Sequence, residues 1–248
     1  MEFWGITLSG FELFSLLFAA ILIGMSKTGI QGIATIAIPL MAIAFGAKES
    51  TGIILPMLCF ADLIAIIYYR KSCEFKYILK LLPYTVVGFF VAIAIDKYVN
   101  AEMFKILMAF SIFIGLFFMI FGESTNAKLA KSKLYSPTFG ILGGFSTMIG
   151  NAAGSIMAIY LLSMRLPKLV FIGTNAWFFM TINYLKLPLQ IFAWDNITIE
   201  SLKINVLAIA FIFVGAIMGI ILVKRISEEN FKRLIIALTL LSTLAMLF

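Results

Sequence analysis

The sequence predicts an all-α membrane protein: a polytopic helical bundle of two inverted repeats, each of about five hydrophobic segments, with short broken or re-entrant helices at glycine-containing breaks. Three observations carry this expectation. Of 248 residues, 62% are hydrophobic and only 12% charged, about half the charge of an ordinary soluble domain. The apolar residues gather into runs near the roughly 20 needed to cross a bilayer, with no polar stretch long enough for a sizeable extramembrane domain. The second half of the chain also echoes the first.

Apolar runs between polar breaks cover residues 10–26, 30–45, 50–69, 77–95, 103–121, 137–149, 151–164, 169–192, 203–223 and 230–248. Runs one, two, six and seven are the shortest. At about 1.5 Å per residue they span only about 20 to 25 Å, less than a hydrocarbon core of roughly 30 Å, so each short pair makes either two crossings or one re-entrant hairpin of half-helices. The residues before the first run carry neither a basic region nor a small-residue cleavage site, so that run is expected to be retained. The polar stretch Gly122 to Ser136 (GESTNAKLAKSKLYS) is the longest break. It divides the chain into a first repeat, 1–121, a linker, 122–136, and a second repeat, 137–248.

The repeat is legible residue by residue. At one constant offset Gly29 pairs with Gly150, Gly52 with Gly173 and Asp62 with Asn183. After a small register shift, as one loop insertion would cause, Gly88 pairs with Gly215, Glu102 with Glu229, Phe104 with Phe231 and Lys105 with Lys232. An odd number of segments per half requires the halves to be inverted. Placing the breaks on alternate sides puts most of the 19 Lys and Arg on one side and leaves Lys48, Lys97, Lys105, Lys186 and Lys203 on the other. The positive-inside rule then sets the linker in the cytoplasm and both termini outside the cytoplasmic membrane. The loops after runs three and eight differ as inversion demands: RKSCEFK is basic, whereas WDNITIE carries Asp195 and Glu200.

Composition excludes much chemistry. The chain has no histidine and two cysteines, which removes His-based triads, haem ligation and most zinc or copper sites, and no cofactor is expected. Cys59 lies in an apolar run and Cys73 in a basic loop, so both are read as free thiols. The net charge of +7 sits in short loops, a mark of topology rather than of nucleic-acid binding. The expected partners are the lipid bilayer, a small anion and a coupling proton or cation; a second copy of the chain is left open.

The breaks GMSKTGIQG and IGNAAGS hold the candidate site. A broken helix in lipid exposes backbone N–H groups, and the positive end of the next helix favours an anion. Lys27, Thr28, Gly29 and Gly32 at the first break, and Asn151, Ala152 and Gly154 at the second, are therefore expected to bind substrate. Close packing of small residues is the alternative, and it is the preferred reading for Gly215 and Gly219. Ionisable residues inside the bilayer are rare and need partners. Lys27 is expected to attract an anion, and Asp62 to exchange a proton, with a purely structural Lys27–Asp62 pair as the other outcome. Thr174, Asn175, Trp177, Asn183 and Lys186 complete the candidate substrate site on run eight, Lys186 lying on the same helical face as Asn183. Trp4, Tyr68, Tyr69 and Trp194 flank apolar runs and read as interfacial aromatic belts. An intramembrane enzyme would need Ser146 or Ser155 with a lysine base, and no spacing compels this. A channel is a further alternative, for which an inverted repeat is a less natural scaffold.

The stretches GMSKTGIQGIATIAIPLMA, ILPMLCFADLIAIIYYRK and GNAAGSIMAIYLLSMRLPKLVFIGTNAWFFMTINYLKLP resemble the TauE/SafE family of membrane transporters, also called the toluene sulfonate uptake permease family. The resemblance covers nearly the whole chain. It is most specific around Lys27, at Ala61 and Asp62 ahead of YYRK, and from Asn151 to Asn183, Lys186 and Pro188. It implies movement of sulfite, thiosulfate, an organosulfonate or a related small organic anion across the cytoplasmic membrane. Its glycine-rich breaks are reduced here to GIQGI and GNAAG, and Ser155 stands where a proline commonly follows NAAG.

Overall fold

A computed structural model describes residues 2–3, 5–29, 33–100, 102–104, 106–107, 110, 132–227, 229–231, 233–234 and 237. The expected linker and segments 103–121 and 230–248 lie largely outside these residues. A two-stranded antiparallel ribbon, Glu2–Phe3 against Ile6–Thr7, opens the chain. Among the described residues eight α-helices with defined bounds follow. Helix α1 spans Gly10–Thr28 and starts on a capping box in which the Ser9 hydroxyl accepts from the Glu12 N–H and the Glu12 carboxylate accepts from the Ser9 N–H, closing two otherwise open donors. A 3-10 turn, Ile33–Ile36, leads into the short α2, Ala37–Phe45. Then come α3, Ala47–Tyr69, and α4, Phe75–Asp96. Helices α5, Tyr135–Gly150, and α6, Ala153–Ser163, precede α7, Lys168–Phe192, and α8, Ile199–Arg225.

Among the described residues α1, α3, α4 and α8 are long and apolar enough to cross a membrane. Of the two outcomes open to the first segment, its helix has the length of a crossing. Its helix has 19 residues, about 28 Å, because it runs on through Lys27 and Thr28, whose polar groups find partners inside the protein. Helices α2 and α6, with 9 and 11 residues, are as short as expected. Helix α7 has 25 residues, ample length for a crossing. It is too polar to qualify by composition because it carries Asn175, Asn183, Lys186 and Gln190, all buried.

Glycine contacts set the helix directions. Gly24 meets Ile212 and Ala216, and Gly29 meets Gly219, so α1 and α8 run parallel. Gly140 meets Leu81 and Tyr84, and Gly144 meets Thr85, so α4 and α5 do the same. A side chain at Gly144 or Gly215 would collide with the backbone of Thr85 or Ile21; the helices touch main chain to main chain, as small-residue spacing allows. Helices α3 and α7 are antiparallel: Gly52 backs onto Asn196 beyond the end of α7, and Gly173 backs onto Ser72 beyond the end of α3.

The buried apolar residues form two main lobes. One unites α1, α2, most of α3, and α8; the other unites α4, α5, α6 and α7. The fourth helix of each sequence half thus packs with the other half. Exposed Phe14, Phe18, Ile67, Val87, Phe90 and Ile217 stud the outer surface, as a lipid-facing wall requires.

These directions separate charge. Arg70, Lys71, Lys76, Lys80, Arg165, Lys224 and Arg225 gather at one end, where Lys168 donates to the carbonyls of Val223 and Ile226 and so caps α8. Glu12, Glu49, Asp195 and Glu200 stand at the other, with the Lys48–Asp96 ion pair at 2.9 Å.

Candidate functional site

Helix α7 builds the site. Asn175, Phe179, Asn183, Lys186 and Gln190 recur at helical spacing on one buried face, the face turned to α3. Asp62, about two-thirds along α3, lies opposite Asn183, whose amide donates to its carboxylate at 2.7 Å. The second carboxylate oxygen of Asp62 pairs with the Lys27 ammonium at 2.8 Å. Lys27 also sits 4.0 Å over the Phe179 ring, a cation–π contact strengthened by burial. The expected neighbours Lys27, Asp62 and Asn183 are thus brought together.

Lys186 does not snorkel. Fully buried, it donates to the Thr147 carbonyl at 2.7 Å, the Thr147 hydroxyl at 3.0 Å and the Asn151 side-chain oxygen at 2.6 Å. Asn151 holds a left-handed backbone, φ 54°, at the end of α5, and its amide donates to the Thr51 carbonyl at 3.1 Å. The second break is therefore pinned to α3 on one side and to Lys186 on the other.

Between these groups lies a cavity of about 30 Å³, lined by Ser26, Lys27, Ala34, Leu58, Thr147, Asn151, Gly154, Asn175, Phe179 and Asn183, room for about two waters. The side-chain oxygens of Asn175 and Asn183 are buried without hydrogen-bond partners. Helix α6 begins beside it with no side-chain cap, leaving the positive helix end toward the cavity. A wider vestibule of about 420 Å³, lined in part by Lys48, Glu49, Trp194, Asp195, Asn196 and Glu200, opens at the acidic end. Thr51 separates the two, bonded to Asn151 below and accepting from Asn196 at 2.8 Å above.

Other expected site residues do different work. Thr28 donates to Gly24 and Ala216 carbonyls, its own carbonyl accepts from Tyr69, and Gly29 is pressed against Gly219; both serve helix packing. Thr174 accepts from the Glu74 N–H and ties down the loop after α3. Trp177 packs on Phe75, away from the cavity. Ala152 is buried beside Asn151 but is not in the cavity wall. Gly32 lies outside the described residues. The breaks also present fewer N–H groups than expected: those of Gly29, Asn151 and Ala152 donate to Met25, Thr147 and Ser146 carbonyls, because helix ends satisfy their own carbonyls first. Tyr69 and Trp194 are buried at 4% and 6% exposure rather than interfacial, Tyr69 because its hydroxyl has a partner in α1. Trp4 lies outside the described residues.

Sequence reasoning overlooked Ser26, Thr147, Leu58 and Phe179 in the wall. Ser26 and Thr147, like Leu58 and Phe179, are separated by the same 121 residues as Asp62 and Asn183. Extending the repeat alignment from the glycines to these positions is the signal that finds them.

Apolar spans around a buried, charged cavity are the build of a multi-pass membrane transporter, not of an enzyme. The chain matches the family model described as Sulfite exporter TauE/SafE over residues 16–246, and it belongs to that family. No curated protein and no solved structure matches it.

Proposed function

We propose that this transporter carries a small anion (sulfite, thiosulfate, an organosulfonate or a related organic anion) across the cytoplasmic membrane by alternating access, binding it in the central cavity between two inverted halves. The observation that carries this reading is the cavity wall. Two pairs of its residues, Ser26 with Thr147 and Leu58 with Phe179, lie 121 apart, with Lys27 buried in it and two unpartnered Asn oxygens beside it. Inversion is supported by the antiparallel run of α3 and α7, which the sequence offset makes equivalent, and by the parallel pairs α1–α8 and α4–α5. A two-fold axis through the cavity relates these contacts.

The moving bodies in this reading are the two lobes, each three helices of one half with the fourth helix of the other. Lys27, Asn151, Gly154, Asn175 and Asn183 meet the substrate, and Lys186 supports Asn151. Thr51, Asn151 and Asn196 close the way to the acidic-end vestibule; the Tyr69–Thr28 bond closes the basic end. The basic end faces the cytoplasm under the positive-inside rule. Asp62 couples a proton: protonating its carboxylate dissolves the pair with Lys27 and frees that ammonium for the anion. With the cell interior negative, one negative charge moving outward gains about 2.3 kcal/mol per 100 mV, so export proceeds without a coupling ion whereas uptake requires one.

The test is flux of radiolabelled sulfite and an organosulfonate into proteoliposomes. Saturable flux with counter-stimulation by trapped substrate is expected; flux linear in concentration identifies a channel and overturns alternating access.

A further inference from the structure

We propose that the side-chain oxygens of Asn183 and Asn175 select the cargo by a hydrogen-bond donor, so that the central cavity favours a small anion carrying its own N–H or O–H over one of equal charge and shape that carries none. The inference rests on the transport reading above and specifies its substrate class. A negative charge is met in the cavity wall by Lys27 and by the uncapped start of α6. The acceptors of the same wall are not met. Asn183 is fully buried, Asn175 is 2% exposed, and both line the cavity. The side-chain oxygen of each is buried with no hydrogen-bond partner among the described residues.

The orientation of the Asn183 amide is fixed by its neighbour. Its nitrogen donates to Oδ2 of Asp62 at 2.7 Å, while Oδ1 of the same carboxyl group faces the Lys27 nitrogen at 2.8 Å. The proton between Lys27 and Asp62 lies at Oδ1 whichever of the two holds it, and Oδ2 accepts in both cases. A proton taken up on Oδ1 as Lys27 turns to the anion leaves Oδ2 an acceptor as well. Asn183 therefore keeps its nitrogen toward α3 and its oxygen free. Asn175 and Asn183 stand about one helical turn on either side of Phe179, the ring over which Lys27 sits at 4.0 Å. The two oxygens thus flank the place where the charge of the anion is met. A cargo that fills the cavity excludes water from them, and it must then bring a donor or leave them bare, which costs more than an ordinary hydrogen bond gains. A site built to bond a substrate N–H or O–H rejects the analogue without it far more sharply than an apolar pocket rejects a missing methylene. Sulfite without its proton, thiosulfate and plain alkanesulfonates carry no donor; hydrogensulfite protonated on oxygen and sulfonates bearing a hydroxyl or amino group do.

The probes are sulfamate and methanesulfonate, two monoanions near neutral pH that share a sulfonate end and differ in an amino against a methyl group. Their equilibrium binding is measured on the purified full chain in detergent. The native protein is expected to bind sulfamate more tightly by about tenfold or more. Asn183→Leu, which replaces the amide by an apolar group of like size, is expected to weaken sulfamate and to spare or strengthen methanesulfonate, moving the ratio of the two affinities toward one. Asn175→Leu moves it in the same direction. An Asn183 that serves packing alone would change stability, or both affinities together, and leave the ratio where it was. A native protein that binds the two probes equally or prefers methanesulfonate overturns the inference, as does an unchanged ratio in folded Asn183→Leu. Should that variant fail to fold, an unchanged ratio in Asn175→Leu overturns it instead. Failure of the native protein to bind either probe defeats the transport reading itself, a distinct result.

Discussion

At the residue scale, the Lys27–Asp62 pair shows why burial makes charges interdependent. Each ion has lost its water, and each regains stabilisation only from the other and from the Asn183 amide. Removing one partner leaves a bare charge in a low-dielectric site, which costs about 3 to 5 kcal/mol, whereas removing both is far milder. Lys27→Met is accordingly expected to lower the denaturation midpoint strongly, and Lys27→Met/Asp62→Asn to recover most of the loss, as read by thermal unfolding in detergent. Asp62→Asn keeps the side-chain shape but cannot take up a proton. A pH gradient that drives substrate into native proteoliposomes should therefore drive none through this variant, and persistent proton drive would remove Asp62 from the coupling role.

At the element scale, two glycines at helix surfaces have opposite functions. Gly144 lets α5 touch α4 at the Thr85 backbone, where an added methyl has no room. Gly144→Ala is expected to cost about 1 to 3 kcal/mol through overpacking. Gly154, in the first turn of α6, has nothing within 4 Å of an added Cβ and lines the cavity. Gly154→Ala should leave stability unchanged or slightly raised, since alanine suits a helix better. Its transport rate should fall all the same, because the methyl enters the substrate's space. Unfolding and flux measured on the same preparations separate the two effects; equal losses of stability would disprove the distinction. The short α2 and α6 were readable from run length alone. The full length of α1 was not, because its last turn is polar and its partners, Asp62, Tyr69 and Ala216, lie on α3 and α8.

At the scale of the whole molecule, charge and packing together orient the bundle. The loop between α3 and α4 lies at the basic end, so Cys73 is expected to face the cytoplasm. Burial pushes the Cys73 thiol up to about 11, partly opposed by a hydrogen bond with Thr174 and reinforced by Glu74. Its reactive thiolate is scarce near neutral pH and grows more abundant as pH rises toward that value. An impermeant maleimide should therefore leave Cys73 unlabelled in intact cells, and after permeabilisation should label it faster at alkaline than at neutral pH. Labelling from outside would reverse the membrane orientation. The proposed repeat rests on glycines and Asp62/Asn183 keeping one offset. The exchange of α4 and α8 between lobes was not legible in the sequence, because it depends on which glycine faces meet, and apolar helices advertise no partner.

Composition and run length by themselves determined that the chain lives in a membrane as helices, and they marked Lys27, Asp62, Asn183 and Lys186 for attention, since an ionisable or amide group among apolar residues must find a partner. Only the tertiary structure decided which partner. Hydrogen bonds and ion pairs reach a few ångströms between helices far apart in sequence. It is therefore the crossing of α1, α3, α5 and α7 that pairs Lys27 with Asp62, ties Lys186 to Thr147 and Asn151, and turns Thr28, Gly29, Thr174 and Trp177 toward packing instead of the cavity.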